Sequence, residues 1–236
     1  FTIVFNGEIY NHQELRKQLD CLDWNGQSDT ETLLACIELW GLDEALDKIN
    51  GMFSFSLWDD ERKTIYLVRD RMGEKPLYYG WQGDCFLFGS ELKSLKVHPN
   101  FQANIDKESL DLYFRYNYIP SPYSIYRGIS KLPAGSLLSL HQGEIKIRKY
   151  WSVSDVVAQG LSDPLLDSVE DLAGKLDNLI KKSIKQKMVS DVPLGAFLSG
   201  GVDSSVVVGI MQSLSSKPVK TFTIGFEDKA FDEAQD

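Results

Sequence analysis

Long apolar runs are missing from this sequence. No segment approaches the roughly eighteen residues that a membrane-spanning helix requires, and no secretory signal peptide is visible in residues 1–236. Basic residues are also in deficit, since 25 lysines and arginines are outnumbered by 34 aspartates and glutamates. The net charge of −9 argues against a surface that follows the phosphate backbone of a nucleic acid. We therefore expect neither a membrane nor a nucleic acid among the partners.

Cysteine is scarce as well. Cys21, Cys36 and Cys85 are odd in number and lack the spacing of metal ligands. The cysteine content therefore predicts a protein of the reducing cytoplasm.

The two ends of the sequence lack the features of a complete chain. Phe1 stands where a methionine is expected and lies inside an apparent strand, and Asp236 follows closely on the last predicted strand. The interpretation is an internal part of a longer protein.

The remaining composition is that of an ordinary globular protein of one or two domains, with 43% hydrophobic and 25% charged residues. Strand and helix patterns alternate in the first half, which predicts a layered α+β domain. Asn6-Gly7 is a turn signal after the first strand, and the charged segment 69–76 is interpreted as a solvated connection or a contact with a partner domain. The predicted helices are 12–19, 29–40, 42–49 and 106–115, and the predicted strands are 1–5, 52–58 (half-buried), 64–68, 77–81, 85–89, 137–140 and 145–150.

The second half predicts a βαβ unit. Residues 152–168 are the best linker candidate, and an amphipathic helix follows over 169–188. An apolar run at 192–198 has the length of a buried strand, helical spacing of apolar residues follows from Val206, and a second apolar run covers 219–224. This order indicates an α/β fold with parallel strands.

The turn of this unit, Ser199-Gly200-Gly201-Val202-Asp203-Ser204-Ser205, favours a phosphate or pyrophosphate ligand. Two glycines let the backbone approach a ligand closely, and the turn leads into a helix N-terminus, where free N–H groups attract an anion. The hydroxyls of Ser199, Ser204 and Ser205 add donors. Asp203 would repel a phosphate unless a cation lay between them, which suggests Mg²⁺. A Walker-type loop is excluded because no Lys followed by Ser or Thr comes after Gly201, the last glycine of the turn. An ordinary strand-to-helix turn capped by Asp or Ser stays open.

These residues, with 190–198 before them and 221–226 after them, closely resemble the synthetase domain of glutamine-hydrolysing asparagine synthetases. The resemblance implies ATP and Mg²⁺ as cofactors and adenylation of aspartate, with release of AMP and pyrophosphate. The ATP-binding residues it implies are Leu198, Ser199, Gly200, Gly201, Asp203, Ser204, Ser205 and Ile224, with Asp203 as the metal ligand.

The segments 6–11 and 28–31 resemble the glutaminase domain of class II amidotransferases. Cleavage of an amide develops an oxyanion that needs aimed N–H donors, for which the Asn6 side chain and the Gly7 backbone are candidates. Glu8 and Asp29 are the candidate carboxylates for the ammonium group of glutamine. The resemblance implies these roles and an Ntn-hydrolase-like αββα domain over 1–151, followed by an ATP-pyrophosphatase-like domain over 152–236, both truncated.

One departure from the family concerns the nucleophile. The family uses an N-terminal cysteine assisted by its own α-amino group, and this sequence begins with Phe1. We expect that residues 1–236 alone cannot hydrolyse glutamine, although the full protein would.

The resemblance implies glutamine, aspartate and ATP as partners, ammonia transfer through a shielded passage, and allows for a homodimer. Two alternatives stay open: an amidotransferase of the same build that acts on another carboxylate acceptor, and a non-catalytic module that binds nucleotide or glutamine.

Overall fold

The computed structural model describes residues 1–19, 23–189 and 192–225, which divide into two units, Phe1–Asp163 and Pro164–Asp236. Some residues used in the sequence analysis lie outside the described residues. They are Cys21, which is part of the cysteine pattern, and the segments 190–191 and 226–236, which overlap the segments that carry the family resemblance. None of the helices in the described segments is long and apolar enough to cross a bilayer.

The first unit alternates helices and strands much as the periodicity predicts. Ser28 caps the helix that begins at Asp29, since its Oγ accepts the N–H of Glu31, and Gly41 ends that helix with a φ of 81°. Asp106 caps a later helix in the same way, by accepting from Ser109 N. The elements in chain order are β1 Thr2–Ile9, α1 His12–Gln18, α2 Asp29–Trp40, α3 Leu42–Lys48, β2 Gly51–Asp59, β3 Thr64–Arg69, β4 Tyr78–Gln82, β5 Cys85–Gly89, α4 Leu92–Lys96, α5 Lys107–Tyr116, β6 Ile129–Lys131, β7 Ser136–His141, β8 Glu144–Lys149 and α6 Val153–Ser162.

Two antiparallel sheets and a layer of helices make up this unit. The larger sheet has the order β1-β2-β3-β7-β8, and the smaller has the order β5-β4-β6. One apolar cluster joins α1, α2 and α3 to the larger sheet and includes Leu15, Leu33, Leu46 and Phe55. A second cluster lies between the two sheets. The predicted layered α+β architecture is therefore confirmed for this unit.

β2 differs from its prediction as a half-buried strand. Its alternating pattern reflects side-chain size rather than exposure, because Ser54 and Ser56 are as deeply buried as their apolar neighbours, at 2% and 7% exposure. Phe53 and Phe55 pack against the helices, whereas the small serines line the opposite face, which the second sheet covers. Short β6, which pairs with β4, carries too few residues to show a period and was not predicted.

The predicted turn at Asn6-Gly7 is wrong, because both residues lie inside β1. The register pairs Asn6 with Ser54 and Gly7 with Phe53, so the strand continues to Ile9. The pair resembles a turn signal only because Asn and Gly are also the residues that a hairpin turn prefers. Here the glycine serves close strand packing instead.

The charged segment 69–76 is not a solvated connection. Asp70 is fully buried, and its carboxylate accepts from the backbone N–H groups of Phe53, Glu74 and Lys75 at 3.3, 2.9 and 2.9 Å. Arg69 is 8% exposed, and its guanidinium donates to three carbonyls, those of Gly73, Lys75 and Leu132, each at 2.7 Å. Burial of the guanidinium lowers the pKa of Arg69.

The second unit contains α7 Val169–Lys187, β9 Gly195–Phe197, α8 Val202–Leu214 and β10 Lys220–Phe222. β9 and β10 pair in parallel with α8 between them, which confirms the βαβ prediction. The expectation of a buried strand is wrong for the described residues, since Phe197 and Phe222 are 73% and 57% exposed. Two strands and two helices cannot cover both faces of a parallel sheet. The predicted linker also differs, because α6 occupies its first part.

Candidate functional site

β1 is the outer strand of the larger sheet among the strands described, and this decides where its N–H groups point. Tyr10 N donates to Asn50 O, and hydrogen-bonded and non-bonded pairs alternate along an antiparallel ladder. The N–H groups of Gly7 and Ile9 therefore point away from β2, toward the open edge. Ile9 N follows this rule, since it donates to Asp29 Oδ2 at 2.8 Å. Gly7 thus directs its N–H to the same edge as the carboxylate of Asp29.

Gly7 cannot be replaced by a larger residue without moving β2. A β-carbon at this position would overlap the carbonyl oxygen of Met52 and would lie 2.6 Å from the Cα of Phe53. The glycine therefore allows the close pairing that holds its own N–H at the edge.

The side chain of Asn6 lies on the face of β1 that is turned to the second sheet. Its Nδ2 donates to Ser90 Oγ at 2.8 Å, and Ser90 Oγ is 3.3 Å from Ser54 Oγ. These groups line a cavity of about 130 Å³ between the sheets, together with the residues Val4, Phe5, Phe55, Leu77 and Phe88. One N–H of the amide is thus engaged, and the second remains for another acceptor.

Asp29 is the first residue of α2, and the cap at Ser28 fixes where that helix starts. One carboxylate oxygen accepts from Ile9 N, and the other lies 3.4 Å from Thr30 Oγ1. The Ile9 bond ties the N-terminus of α2 to the end of β1. Glu8 precedes Ile9 and is exposed. Of the four residues predicted for glutamine, Asn6, Gly7 and Glu8 are thus consecutive in β1, and Asp29 is bonded to the residue that follows them.

Negative charge accumulates beside Tyr10 at this end of the sheet. Burial, followed by the charges of Glu74, Glu8 and Asp70, raises the pKa of Tyr10 to about 12. The phenol is therefore neutral over the physiological range, and the surrounding carboxylates create a field suited to a cation such as the ammonium group of an amino acid.

Three arginines that are candidates for binding a carboxylate ligand are engaged elsewhere. Arg69 holds the 73–75 turn, and Arg71 donates to the carbonyls of Leu46, Asp47 and Ile49. Arg16 contacts Thr32, the carbonyls of Gly26 and Ser28, and Glu31, and its guanidinium stacks over Trp24 at 4.2 Å. The guanidinium group of each arginine is therefore occupied by hydrogen bonds within the first unit.

Sequence reasoning missed Ser90 and Asp70. Ser90 follows β5 in an ordinary strand-to-helix turn, and nothing in its spacing links it to Asn6, 84 residues away. Asp70 belonged to a charged run that resembled surface. Only its position directly after an apolar strand could have indicated burial.

The second candidate site is the loop between β9 and α8. Leu198 follows β9 and is held by Phe222 O, to which its N–H donates at 2.9 Å, and by Thr223 Oγ1, which donates to Leu198 O at 2.8 Å. Gly200 adopts a φ of 76°, a conformation that favours glycine, and Gly201 precedes the first residue of α8. Ile224 follows β10, so both residues expected to flank the nucleotide lie at the carboxyl ends of parallel strands.

The serines of this loop form a small internal network. Ser204 Oγ lies 3.2 Å from Ser199 Oγ, accepts from Ser199 N at 3.3 Å and donates to Gly201 O at 3.1 Å. Ser204 thereby shapes the loop, while Ser205 N donates to Gly201 O as the first bond of α8.

The donor set of the loop fits an anion better than it fits a metal. Asp203 is exposed in the first turn of α8 and is the one carboxylate of the heptad. Within the described segments, no group of three or more His, Cys, Asp or Glu side chains is placed to hold a metal ion. A Mg²⁺ at Asp203 would therefore take its remaining ligands from phosphate oxygens and water, which is its usual mode of binding.

Two family profiles match the chain. The glutamine amidotransferase domain matches residues 1–151, and asparagine synthase matches residues 175–236. A solved glutamine phosphoribosylpyrophosphate amidotransferase from B. subtilis aligns over 97% of this chain and 47% of that chain, at 16% identity and a TM-score of 0.46, a level below that which establishes a shared fold.

Several curated proteins are similar to this chain over nearly its whole length. A putative glutamine-hydrolyzing asparagine synthetase 2 of Methanocaldococcus jannaschii is 41% identical over 98% of this chain and 44% of its own length. Asparagine synthetase 1 of Bacillus subtilis is 38% identical over 99% of this chain and 36% of its own length, and asparagine synthetase B of Escherichia coli is 32% identical over 93% and 34%. The chain thus spans less than half the length of these relatives. Because the amidotransferase profile covers more than half of its residues, the chain belongs to the glutamine amidotransferase domain family and continues into an asparagine synthase segment.

Proposed function

We propose that the protein containing this chain makes asparagine in the cytoplasm, from aspartate, ATP and the amide nitrogen of glutamine. Residues 1–151 form its glutaminase part and residues 152–236 begin its synthetase part. The observation that supports this most directly is the joint placement of the Gly7 N–H and the Asp29 carboxylate at one open strand edge, in a chain that also carries the 199–205 loop.

In the glutaminase part, Glu8 and Asp29 hold the ammonium group of glutamine. The Gly7 N–H and an amide N–H of Asn6 stabilise the oxyanion that forms when the side-chain amide is attacked. Attack on the amide requires an accessible thiolate. Cys36 is fully buried, and burial raises its pKa to about 11, so this thiol is unsuited to the task.

In the synthetase part, the loop binds the phosphates of ATP. Its backbone N–H groups at the start of α8 and the hydroxyls of Ser199, Ser204 and Ser205 stabilise the pyrophosphate as it leaves, while Leu198 and Ile224 contact the adenosine. Bound Mg²⁺, held by Asp203, would offset phosphate charge. The aspartate carboxylate is activated as aspartyl-AMP, and ammonia then displaces AMP.

Product analysis of the full-length protein tests this proposal. With glutamine, aspartate, ATP and Mg²⁺ we expect asparagine, glutamate, AMP and pyrophosphate. ADP in place of AMP would contradict adenylation. Offering other carboxylates separates the alternative acceptors, and failure to turn over glutamine or ATP at all would favour a binding module. Sedimentation of the same protein tests the homodimer.

Asp203→Asn provides a matched test of the loop. We expect pyrophosphate release to fall by about 100-fold, the scale on which lost charge stabilisation acts, while glutamine hydrolysis continues. Asp177→Asn, an exposed carboxylate on α7 that pairs with Lys181, is the control and should leave both activities unchanged.

A further inference from the structure

Asn6 lies opposite a buried serine, Ser54, on the neighbouring strand β2. The register pairs it with Ser54, so both side chains lie on the same face of the sheet. Ser54 is 2% exposed, and it lies opposite Asn6 in β1 and opposite Arg69 in β3. The backbone that carries its hydroxyl is therefore held between two neighbouring strands.

Ser90 reaches the same point from the second sheet. It accepts from Asn6 Nδ2 at 2.8 Å and lies 3.3 Å from Ser54 Oγ, so it connects the exposed amide to the buried hydroxyl. The backbone before it is tightly packed, since a β-carbon at Gly89 would lie 3.0 Å from Ser94 Oγ and 3.2 Å from Leu95 Cδ2. The position of Ser90 is thus set by α4 and β5, independently of β1.

This connection determines the orientation of the Asn6 amide. The group is planar and carries two N–H bonds on one nitrogen, so a bond from one of them to Ser90 fixes the direction of the other. We propose that Ser90, supported by Ser54, is a positioning residue that aims the free N–H of Asn6 at the oxyanion during glutamine hydrolysis. The inference rests on the proposed function, since it assigns a support to the oxyanion donor named there.

The expected effect is on the rate of reaction rather than on binding. Stabilisation of an oxyanion depends on donors that are oriented before the charge develops, and loss of one such donor lowers kcat by about 100- to 1000-fold. Without Ser90 the amide stays present but turns freely, so a smaller loss of about tenfold is expected. The KM for glutamine should change little, because the ammonium contacts at Glu8 and Asp29 are untouched.

The test compares Ser90→Ala, Ser90→Thr and Ser56→Ala in the full-length protein. Ser56 is the matched control, a buried serine on the same strand and face as Ser54 that also lines the cavity but has no hydrogen bond to Asn6 among the described residues. We expect Ser90→Ala to lower kcat for glutamine hydrolysis about tenfold at a KM within about threefold of wild type. Ser90→Thr should restore kcat, and Ser56→Ala should not alter it. Synthesis driven by added ammonia should be unchanged in all three.

Asn6→Ala separates failure of this inference from failure of the proposed function. If Asn6→Ala abolishes most glutamine hydrolysis while Ser90→Ala has wild-type or higher kcat, the positioning role is wrong and the proposed function stands. If Asn6→Ala itself retains wild-type kcat, Asn6 is no oxyanion donor, and both the positioning role of Ser90 and the role proposed for Asn6 are wrong. Equal losses in kcat and melting temperature for Ser90→Ala and Ser56→Ala would show a merely structural role. If Ser90→Ala does not fold, Ser54→Ala takes its place, and an unchanged kcat there overturns the proposal.

Discussion

At the scale of single residues, Asp70 stabilises the folded conformation of the segment after β3. Its carboxylate accepts three buried or partly buried backbone N–H groups, and its own carbonyl accepts from Gly73 and Gly135. The carboxylate thus supplies the hydrogen-bond acceptors that regular secondary structure would otherwise provide for these backbone N–H groups. The aspartate is therefore a structural centre close to the candidate glutamine site rather than a part of it.

Asp70→Ala is expected to lower the free energy of unfolding by about 3 kcal/mol or more, because each N–H left unsatisfied in a buried place costs about 1 to 3 kcal/mol. Urea denaturation of the variant and of wild type measures the difference. Asp84→Ala, at the exposed tip of the β4–β5 hairpin, should change stability by less than about 0.5 kcal/mol. A loss below about 1 kcal/mol for Asp70→Ala would contradict the role assigned to it.

Cys36 should be inert toward alkylating reagents in the folded protein. Burial raises its pKa from 9.0 to about 11, which lowers its thiolate fraction at pH 8 by about 100-fold. Iodoacetamide labelling followed by peptide mass spectrometry should show modification of half-buried Cys85 long before that of Cys36. Because the raised pKa favours the protonated thiol in the folded state, its stabilising contribution is complete below pH 9 and is lost as the pH rises through about 11. Labelling of both thiols at one rate in the native protein would refute this.

At the scale of elements, Arg71 ends α3. It donates to the carbonyls of Leu46, Asp47 and Ile49 at 2.9 to 3.0 Å, the groups that a helix C-terminus leaves without partners. Arg71→Lys should lower the free energy of unfolding by about 1 to 2 kcal/mol, since an ammonium group cannot reproduce the forked geometry. Thermal unfolding monitored by circular dichroism provides the measurement. Arg62→Lys, at a side chain that is 75% exposed, should have no effect of this size.

Local sequence signals predict an element well where its structure depends on residues that are close in sequence. The helix predicted over 29–40 and the βαβ order of the second unit depend on neighbours in sequence, and both are confirmed. Burial of Ser54 and Ser56 depends on a second sheet formed more than twenty residues later, and the place of Asn6-Gly7 inside β1 depends on pairing with β2. The hydrogen bond between Asn6 and Ser90 is likewise long-range, so it cannot be predicted from the spacing of motifs.

At the scale of the whole molecule, the two units differ in how much they bury. Of the buried hydrophobic side chains in the described segments, Met211 alone belongs to the second unit. Limited trypsin digestion of Phe1–Asp236 should therefore leave a fragment that ends at Lys175, the first Lys or Arg after Lys149. Mass spectrometry identifies this end. Early cleavage within 1–149 would show that the first unit is not the more stable one.

The bond between Asp29 and Ile9 also bears on aggregation. An outer strand with successive outward N–H groups is a template on which a strand of another molecule can add. Along β1, Ile9 donates its outward N–H to a carboxylate of its own chain, so only part of the edge is open. A charged group placed there repels an incoming backbone carbonyl as well. Asp29, which is proposed to bind the ammonium group of glutamine, thus also protects this edge against self-association. Its substitution would lower the solubility of the protein as well as its binding of glutamine.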